Sequence, residues 1–367
     1  MKVICSVVDL RDQLEKLVLA CNTKYSPTLS YVLVESKDSI IRMTTTDLSI
    51  SLSITVVGQV VKSGNGLLPC KQLLSLLKVL AADEVVLTIN DEICLVQTNT
   101  GNYRLPSEPF TNFPNLPTIQ DGDTYQLEAK KLTEGIKAVL FSASTDETKG
   151  VLCGVHLTML QGHNLEFATT NAHILSLIEL TSEYTNSDTE FTIPNQACLL
   201  LQKLLEKVDD VKITVKDSDI AFEFDNYKLT SRLLEGQYPR YYHLFPRQFD
   251  KKLTVDRVAL LDAVEKIQVV SSLKNNGVIF NLSPENQEIN LTSQVTEVGI
   301  TKISLPAQIS GDSLKTAFYC PYLVSVLKNL SSTEVQIKLN AKLTPVVFSP
   351  LSTQKIKYLV MPFEIRK

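Results

Sequence analysis

Residues 31–54, YVLVESKDSIIRMTTTDLSISLSI, read as extended runs: an alternating stretch, then a second one carrying Thr and Ser pairs among apolar residues. The same sentence is written twice more. VLCGVHLTMLQGHNLEFATTNAHILSLIEL starts at Val151 and GVIFNLSPENQEINLTSQVTEVGITKISL at Gly277, so the offset is roughly 120–130 residues. An amphipathic helix precedes each run, and a second helix with alternating strands follows it. The second helices, PCKQLLSLLKVL from Pro69, PNQACLLLQKLL from Pro194 and PYLVSVLKNL from Pro321, each open on a proline, which a helix tolerates in its first turn.

Two proline-containing stretches, NFPNLPTIQDGD (112–123) and YPRYYHLFPRQFDKK (238–252), interrupt the periodic pattern. They divide the chain into three domains, 1–120, 121–248 and 249–367, each of ordinary domain size. In the first, Leu10, Leu14, Leu17, Val18 and Cys21 share one helix face and Arg11, Asp12, Glu15 and Lys16 the other. Leu132, Ile136, Val139 and Leu140 form the stripe of the second copy, and Leu260, Leu261, Val264 and Ile267 that of the third. Each domain is therefore expected to be α+β, with two helices covering an antiparallel sheet.

Hydrophobic residues make up 44% of the 367 and charged ones 21%, which predicts a folded globular protein rather than a disordered chain. No apolar run approaches the roughly 20 residues of a membrane span, and the N-terminus turns charged by Asp9 instead of continuing as a signal peptide. The expectation is a cytoplasmic protein with no membrane partner. Seven cysteines form no CxxC pair and each sits beside apolar residues, which reads as free thiols in a reducing compartment. A formal net charge of −4 argues against a protein that grips nucleic acid by neutralising phosphates.

Catalysis finds no constellation in the sequence. Four histidines (156, 163, 173 and 243) lack metal-ligand spacing, and HExxH, P-loop, GxGxxG and GxSxG motifs are missing. Asp47 beside threonines reads as a turn-fixing carboxylate rather than a general base. The expectation is a non-enzyme with no cofactor and no metal. What does recur is cationic charge on the second helices. Lys71 and Lys78 lie on the polar face of the first with no acid between them, Lys203 and Lys207 on the second beside Glu206, and Lys328 on the third.

An ordered set of stretches carries a resemblance: SPTLSYVLVES from Ser26, TTDLSISLSI from Thr45, NFPNLP from Asn112, FSASTDETKGVLCGVHL from Phe141, TTNAHIL from Thr169, TSRLLEGQYPRYYHLFP from Thr230 and YLVMPFEIRK from Tyr358. Together with the triple repeat they resemble the bacterial DNA polymerase III beta subunit, the sliding clamp family. The resemblance implies the DNA clamp fold: a head-to-tail homodimeric ring of six domains, helices lining the hole and sheets outside. It implies a processivity factor for DNA replication that encircles double-stranded DNA, with the replicative polymerase catalytic subunit, the clamp loader and other replication and repair proteins as partners. A ring is retained by topology, so a weak cationic lining suffices; the lining candidates are Lys71, Lys78, Lys203, Lys207 and Lys328, with Lys24 substituting where Ser26 replaces a frequent arginine.

The same resemblance implies a pocket for partner peptides between the second and third domains, formed by Leu152, Thr170, His173, Leu175, Pro239, His243, Leu244, Tyr322, Leu343, Pro345, Leu359, Met361, Pro362 and Phe363. Departures from the family pattern are Asn171, Ala172 and Ile174 around His173, His243 where a larger cation is frequent, and Glu364 where a basic residue is common. They imply a less cationic rim and a different ranking of partner peptides. The dimer seam is expected to join Phe113 and Leu116 to Val269 and Val270 by extending a sheet. Two other readings remain: a clamp-like interaction scaffold that does not encircle DNA, and a hydrolase built on Asp47 or the His173 region.

Overall fold

The computed structural model describes residues 1–21, 26–116, 119, 121–161, 164–182, 188–271, 276–293 and 301–364. Six α-helices occur among them: α1 (Val7–Leu17), α2 (Cys70–Val79), α3 (Ala129–Val139), α4 (Asn195–Leu204), α5 (Arg257–Val270) and α6 (Cys320–Asn329). Each buries the apolar stripe its sequence spells. Leu10, Leu14 and Leu17 are at most 1% exposed in α1, and Leu132, Ile136 and Val139 are fully buried in α3. Full burial of such a side chain stabilises by about 1.5–3 kcal/mol.

The helix ends follow capping chemistry. Ser6 accepts a bond from the Asp9 N–H at the start of α1 (3.3 Å), and Asp256 accepts from the Ala259 N–H at the start of α5 (2.7 Å). The prolines differ in register: Pro69 caps α2, Pro194 precedes α4, and Pro321 lies inside the first turn of α6. After Leu17 the backbone tightens into a 3₁₀ turn, Val18–Ala20, so Val18 and Cys21 leave the expected stripe and are half-buried. Leu140 and Leu261 are likewise only half-buried at the margins of theirs. Gly135 in α3 is dictated by packing: a Cβ there would stand 2.3 Å from the Phe167 ring.

The chain forms two compact units, and their limits are not those of the repeat. The first comprises 1–133 with 196–233, the second 134–195 with 234–367. The middle third therefore contributes to both.

The first unit holds a five-stranded antiparallel sheet, ordered 58–62, 2–6, 84–89, 93–97, 102–106, and an eight-stranded one, ordered 123–128, 210–216, 219–224, 227–232, 50–56, 40–46, 31–37, 64–69. In the larger sheet two successive thirds of the chain meet where Tyr227–Arg232 pairs with Ile50–Val56, Lys228 facing Ser53. Helix α1 packs beside α2.

The second unit repeats the plan. Its nine-stranded sheet, ordered 189–194, 154–160, 164–170, 174–181, 355–360, 346–350, 334–339, 251–256, 308–310, joins two thirds where Ile174–Thr181 pairs with Lys355–Val360 and Leu177 faces Lys357. A four-stranded sheet, ordered 302–306, 288–293, 277–283, 314–319, stands without such a joint, as does the five-stranded sheet of the first unit. Helix α5 packs beside α6. No disulfide joins any of the seven cysteines among the described residues; five are buried and Cys21 and Cys153 half-buried.

Candidate functional site

The groove residues begin at a tight turn. Asn171 Oδ1 accepts from the N–H groups of His173 (2.9 Å) and Ile174 (3.0 Å), Thr170 Oγ1 donates to the Ile174 carbonyl (2.7 Å), and Ala172 takes a left-handed φ of 80°. Asp47 builds the same turn in the first third: its Oδ1 accepts from Ser49 and Ile50 N–H, and Leu48 has φ 79°. Asp47 is thus a turn residue, held further by Gln196 Nε2 at 2.7 Å on its other oxygen.

In the second unit the turn lifts His173 into the open while Leu175 returns to the sheet at 1% exposure. Three segments far apart in sequence converge on it. Leu175 faces Leu359 across the 174–181/355–360 joint, the Met361 N–H donates to the His173 carbonyl (2.9 Å), and Tyr322 of α6 stacks on the His173 ring at 5.8 Å. Beneath lies an apolar cluster of Ala168, Leu175, Leu177, Tyr238, Tyr241 and Leu359, with Leu152 and Phe245 packed against it.

From this floor the exposed apolar edges rise: Leu244 is 50% exposed, Leu343 49% and Met361 36%, with Pro239 and His243 also exposed. Thr170 and Pro362 are buried; Leu152, Tyr322, Pro345 and Phe363 are half-buried. The Phe363 N–H donates to the Ala317 carbonyl (3.0 Å), and Thr316 donates to the Lys342 carbonyl (2.8 Å), which ties the Leu343 loop to the same corner. An apolar floor with open apolar edges suits the side chains of an extended peptide. Ile174 is only 3% exposed and does not itself line the rim; the exposed departures are Ala172, His243 and Glu364.

Charge is distributed less simply than expected. Lys78 Nζ lies 2.9 Å from Glu15 of α1, and Lys328 Nζ 2.8 Å from Glu265 of α5. The acids that offset them sit on the neighbouring helix, which inspection of the second helices alone misses. Lys71, Lys203 and Lys207 are exposed and make no ion pair among the described residues. Lys24 lies outside the described residues.

The expected seam residues are not in strands. Phe113 follows a 3₁₀ turn and is 8% exposed, buried against its own unit, while Leu116 is half-buried beside it. Val269 and Val270 end α5, Val269 being 84% exposed and Val270 half-buried. Among the described residues, the last strands in order of the two unjoined sheets, Asn102–Pro106 and Lys302–Pro306, each have one neighbour and an alternating, half-exposed pattern.

Three family models match the chain in order: the N-terminal domain of the DNA polymerase III beta subunit over residues 1–117, the central domain over 126–240 and the C-terminal domain over 242–364. The beta sliding clamp of Synechococcus elongatus is 36% identical over 375 residues, covering 100% of both chains. The chain belongs to the beta sliding clamp family. A second clamp, from Synechocystis, is 33% identical, again with 100% of both chains covered. The fold agrees: the beta subunit of Pseudomonas aeruginosa superposes with a TM-score of 0.94 at 22% identity, covering 99% of this chain and 100% of that one, and that of Thermotoga maritima with 0.92 at 21%, covering 100% of both.

The clamp is accordingly a DNA sliding clamp, a non-catalytic processivity subunit of DNA polymerase III, and neither the scaffold nor the hydrolase reading is favoured. Sequence reasoning missed three features of it: the two open strands, Glu166 beneath Tyr241 and Tyr242, and the acids opposite Lys78 and Lys328. Alternation of Tyr103 with Leu105, and of Ile303 with Leu305, was a signal available for the first. No helix among the described residues is long and apolar enough to cross a membrane.

Proposed function

We infer that two copies of the clamp close head to tail around duplex DNA by making, between chains, the joint that each chain already makes twice within itself. The carrying observation is the pair of unjoined half-sheets. In both internal joints an antiparallel strand of one third meets the last strand of the next, with Ser53 facing Lys228 and Leu177 facing Lys357. Counting the same places along the hairpins of the open sheets arrives at Lys302 and Asn102. An unpaired edge is a standing invitation to pair, and closure removes it. Val269 and Val270, at the end of the neighbouring α5, border this seam, whereas Phe113 and Leu116 belong to the connection between the first two domains.

Within that ring the three domains are 1–120, 121–248 and 249–367, and the six helices of each chain face the DNA. Lys71, Lys203 and Lys207 supply its attraction to phosphate, assisted by Lys24 and by the partly offset Lys78 and Lys328. The groove from Leu152 to Phe363 takes the apolar side chains of peptides from the replicative polymerase, the clamp loader and other replication and repair proteins, in the cytoplasm.

A double variant, Asn102→Cys with Lys302→Cys, tests the joint, since facing residues of an antiparallel pair stand about 4.5–5.5 Å apart at Cα, inside the roughly 4.4–6.8 Å that a disulfide spans. Mild oxidation should give a covalent dimer that stays on nicked circular DNA and runs off once the circle is linearised. Cross-linking no greater than in either single variant, or equal retention on circles and linear DNA, would reject the reading.

A further inference from the structure

Glu166 lies in the middle of the Asn164–Thr170 strand of the second unit at 3% exposure. A carboxylate buried there without partners would be strongly destabilising. Its Oε1 instead accepts hydrogen bonds from two consecutive phenols, Tyr241 and Tyr242, in the 3₁₀ turn Tyr241–Leu244. One oxygen thereby fixes two neighbouring residues of a segment that belongs to no strand or α-helix. Burial pushes both phenol pKa values well up, so both remain donors at neutral pH.

The restraint extends through the segment. Tyr241, 4% exposed, meets Tyr238 edge to face at 6.1 Å. Tyr238 stacks flat on His156 at 4.5 Å, and the His156 ring is in turn hydrogen-bonded to Thr192 at 3.1 Å. Pro239 lies between the two anchored tyrosines, and His243 and Leu244 complete the turn. These three are groove residues, whereas Glu166 is buried beneath them.

We propose that Glu166 is a positioning residue for partner peptides: by holding Tyr241 and Tyr242 it keeps the Pro239–Leu244 wall in the shape that receives them. The proposal rests on the groove reading given above. Peptides then meet a wall already ordered, and the entropy of ordering it is not charged to binding. A bond to a charged acceptor is stronger than a neutral one, which favours glutamate over a hydroxyl at this place.

Binding of the polymerase III catalytic subunit to the full-length clamp tests it, with Glu166→Ala, Glu166→Gln, Tyr242→Phe and the groove variant Met361→Asp compared by surface kinetics. Glu166→Ala should bind about tenfold more weakly, chiefly through faster dissociation, and Tyr242→Phe should fall between it and the parent. Glu166→Gln, whose amide oxygen still accepts, should bind within about twofold of the parent. A folded Glu166→Ala that binds like the parent overturns the proposal, as does a glutamine variant no better than alanine. If Glu166→Ala does not fold, Tyr242→Phe decides alone, and unchanged affinity there is refutation. Should Met361→Asp also bind normally, the groove reading itself fails; should it alone lose binding, only the positioning role does.

Discussion

His156 sits in the 154–160 strand at 6% exposure, between Thr192 and the rings of Tyr238 and Tyr241, with Glu190 3.7 Å away. Burial holds its pKa below the ordinary 6.5 more strongly than Glu190 raises it. As pH falls through 6.5 the unfolded chain therefore takes up this proton first, and stability is lost until the pH passes the lower folded value. His156→Asn, whose amide can still meet Thr192, should flatten the dependence of unfolding free energy on pH below 6.5. Denaturant titrations at a series of pH values check this, and an unchanged slope would assign the titration to another group. At this scale the sequence was legible where chemistry is local. Asp47 among threonines announced a turn because a short carboxylate satisfies backbone N–H groups nearby, and it does so at Ser49 and Ile50. Ile174 was illegible in the same way that Glu166 was: whether a strand residue points to a rim or under a covering segment depends on what lies across the sheet, and that is set by residues far along the chain.

Among the elements, the helices were largely written in their apolar spacing, and their neighbours were not. Glu15 and Glu265 are the ninth residues of α1 and α5, and they pair with Lys78 and Lys328, the ninth residues of α2 and α6. In the middle copy the ninth residue of α4 is Lys203, but that of α3 is Lys137, a cation where the other copies have an acid. Lys137 and Lys203 are both exposed without an ion pair among the described residues. Lys203→Ala or Lys137→Ala should each reduce the slope of DNA affinity against salt, on a double logarithmic scale, by up to about 0.9, the value of one phosphate contact. Lys78→Ala and Lys328→Ala should change it less, because a lysine held by glutamate offers less to phosphate. Equal slopes for all four variants, measured by fluorescence anisotropy on short duplexes, would remove the distinction. Strand pairing between thirds was the harder part to read, since an alternating strand looks the same whether its neighbour is ten residues away or a hundred and seventy.

For the whole molecule the threefold repetition was plain in the sequence, yet the compact units of the fold are two, each holding one third and part of the middle one. The reason is the placement of the joints: Ile50–Val56 finds its outer neighbour in Tyr227–Arg232 and Ile174–Thr181 finds its own in Lys355–Val360. A fragment of residues 1–120 would lose the first of these and expose an edge strand with Ile50, Leu52 and Ile54, each at most 2% exposed in the full chain, on its inner side. It should self-associate, visible as a mass above the monomer in light scattering; a stable monomer would show that the joint matters little to the first third. Repetition and folding are thus out of step by about half a copy. Such a chain has no clean place to be divided, because separation at a copy boundary opens a sheet and separation at a sheet boundary splits a copy. The one discontinuity it accommodates is the gap between two polypeptides, and the ring proposed above would part and reseal there at the least cost to either chain.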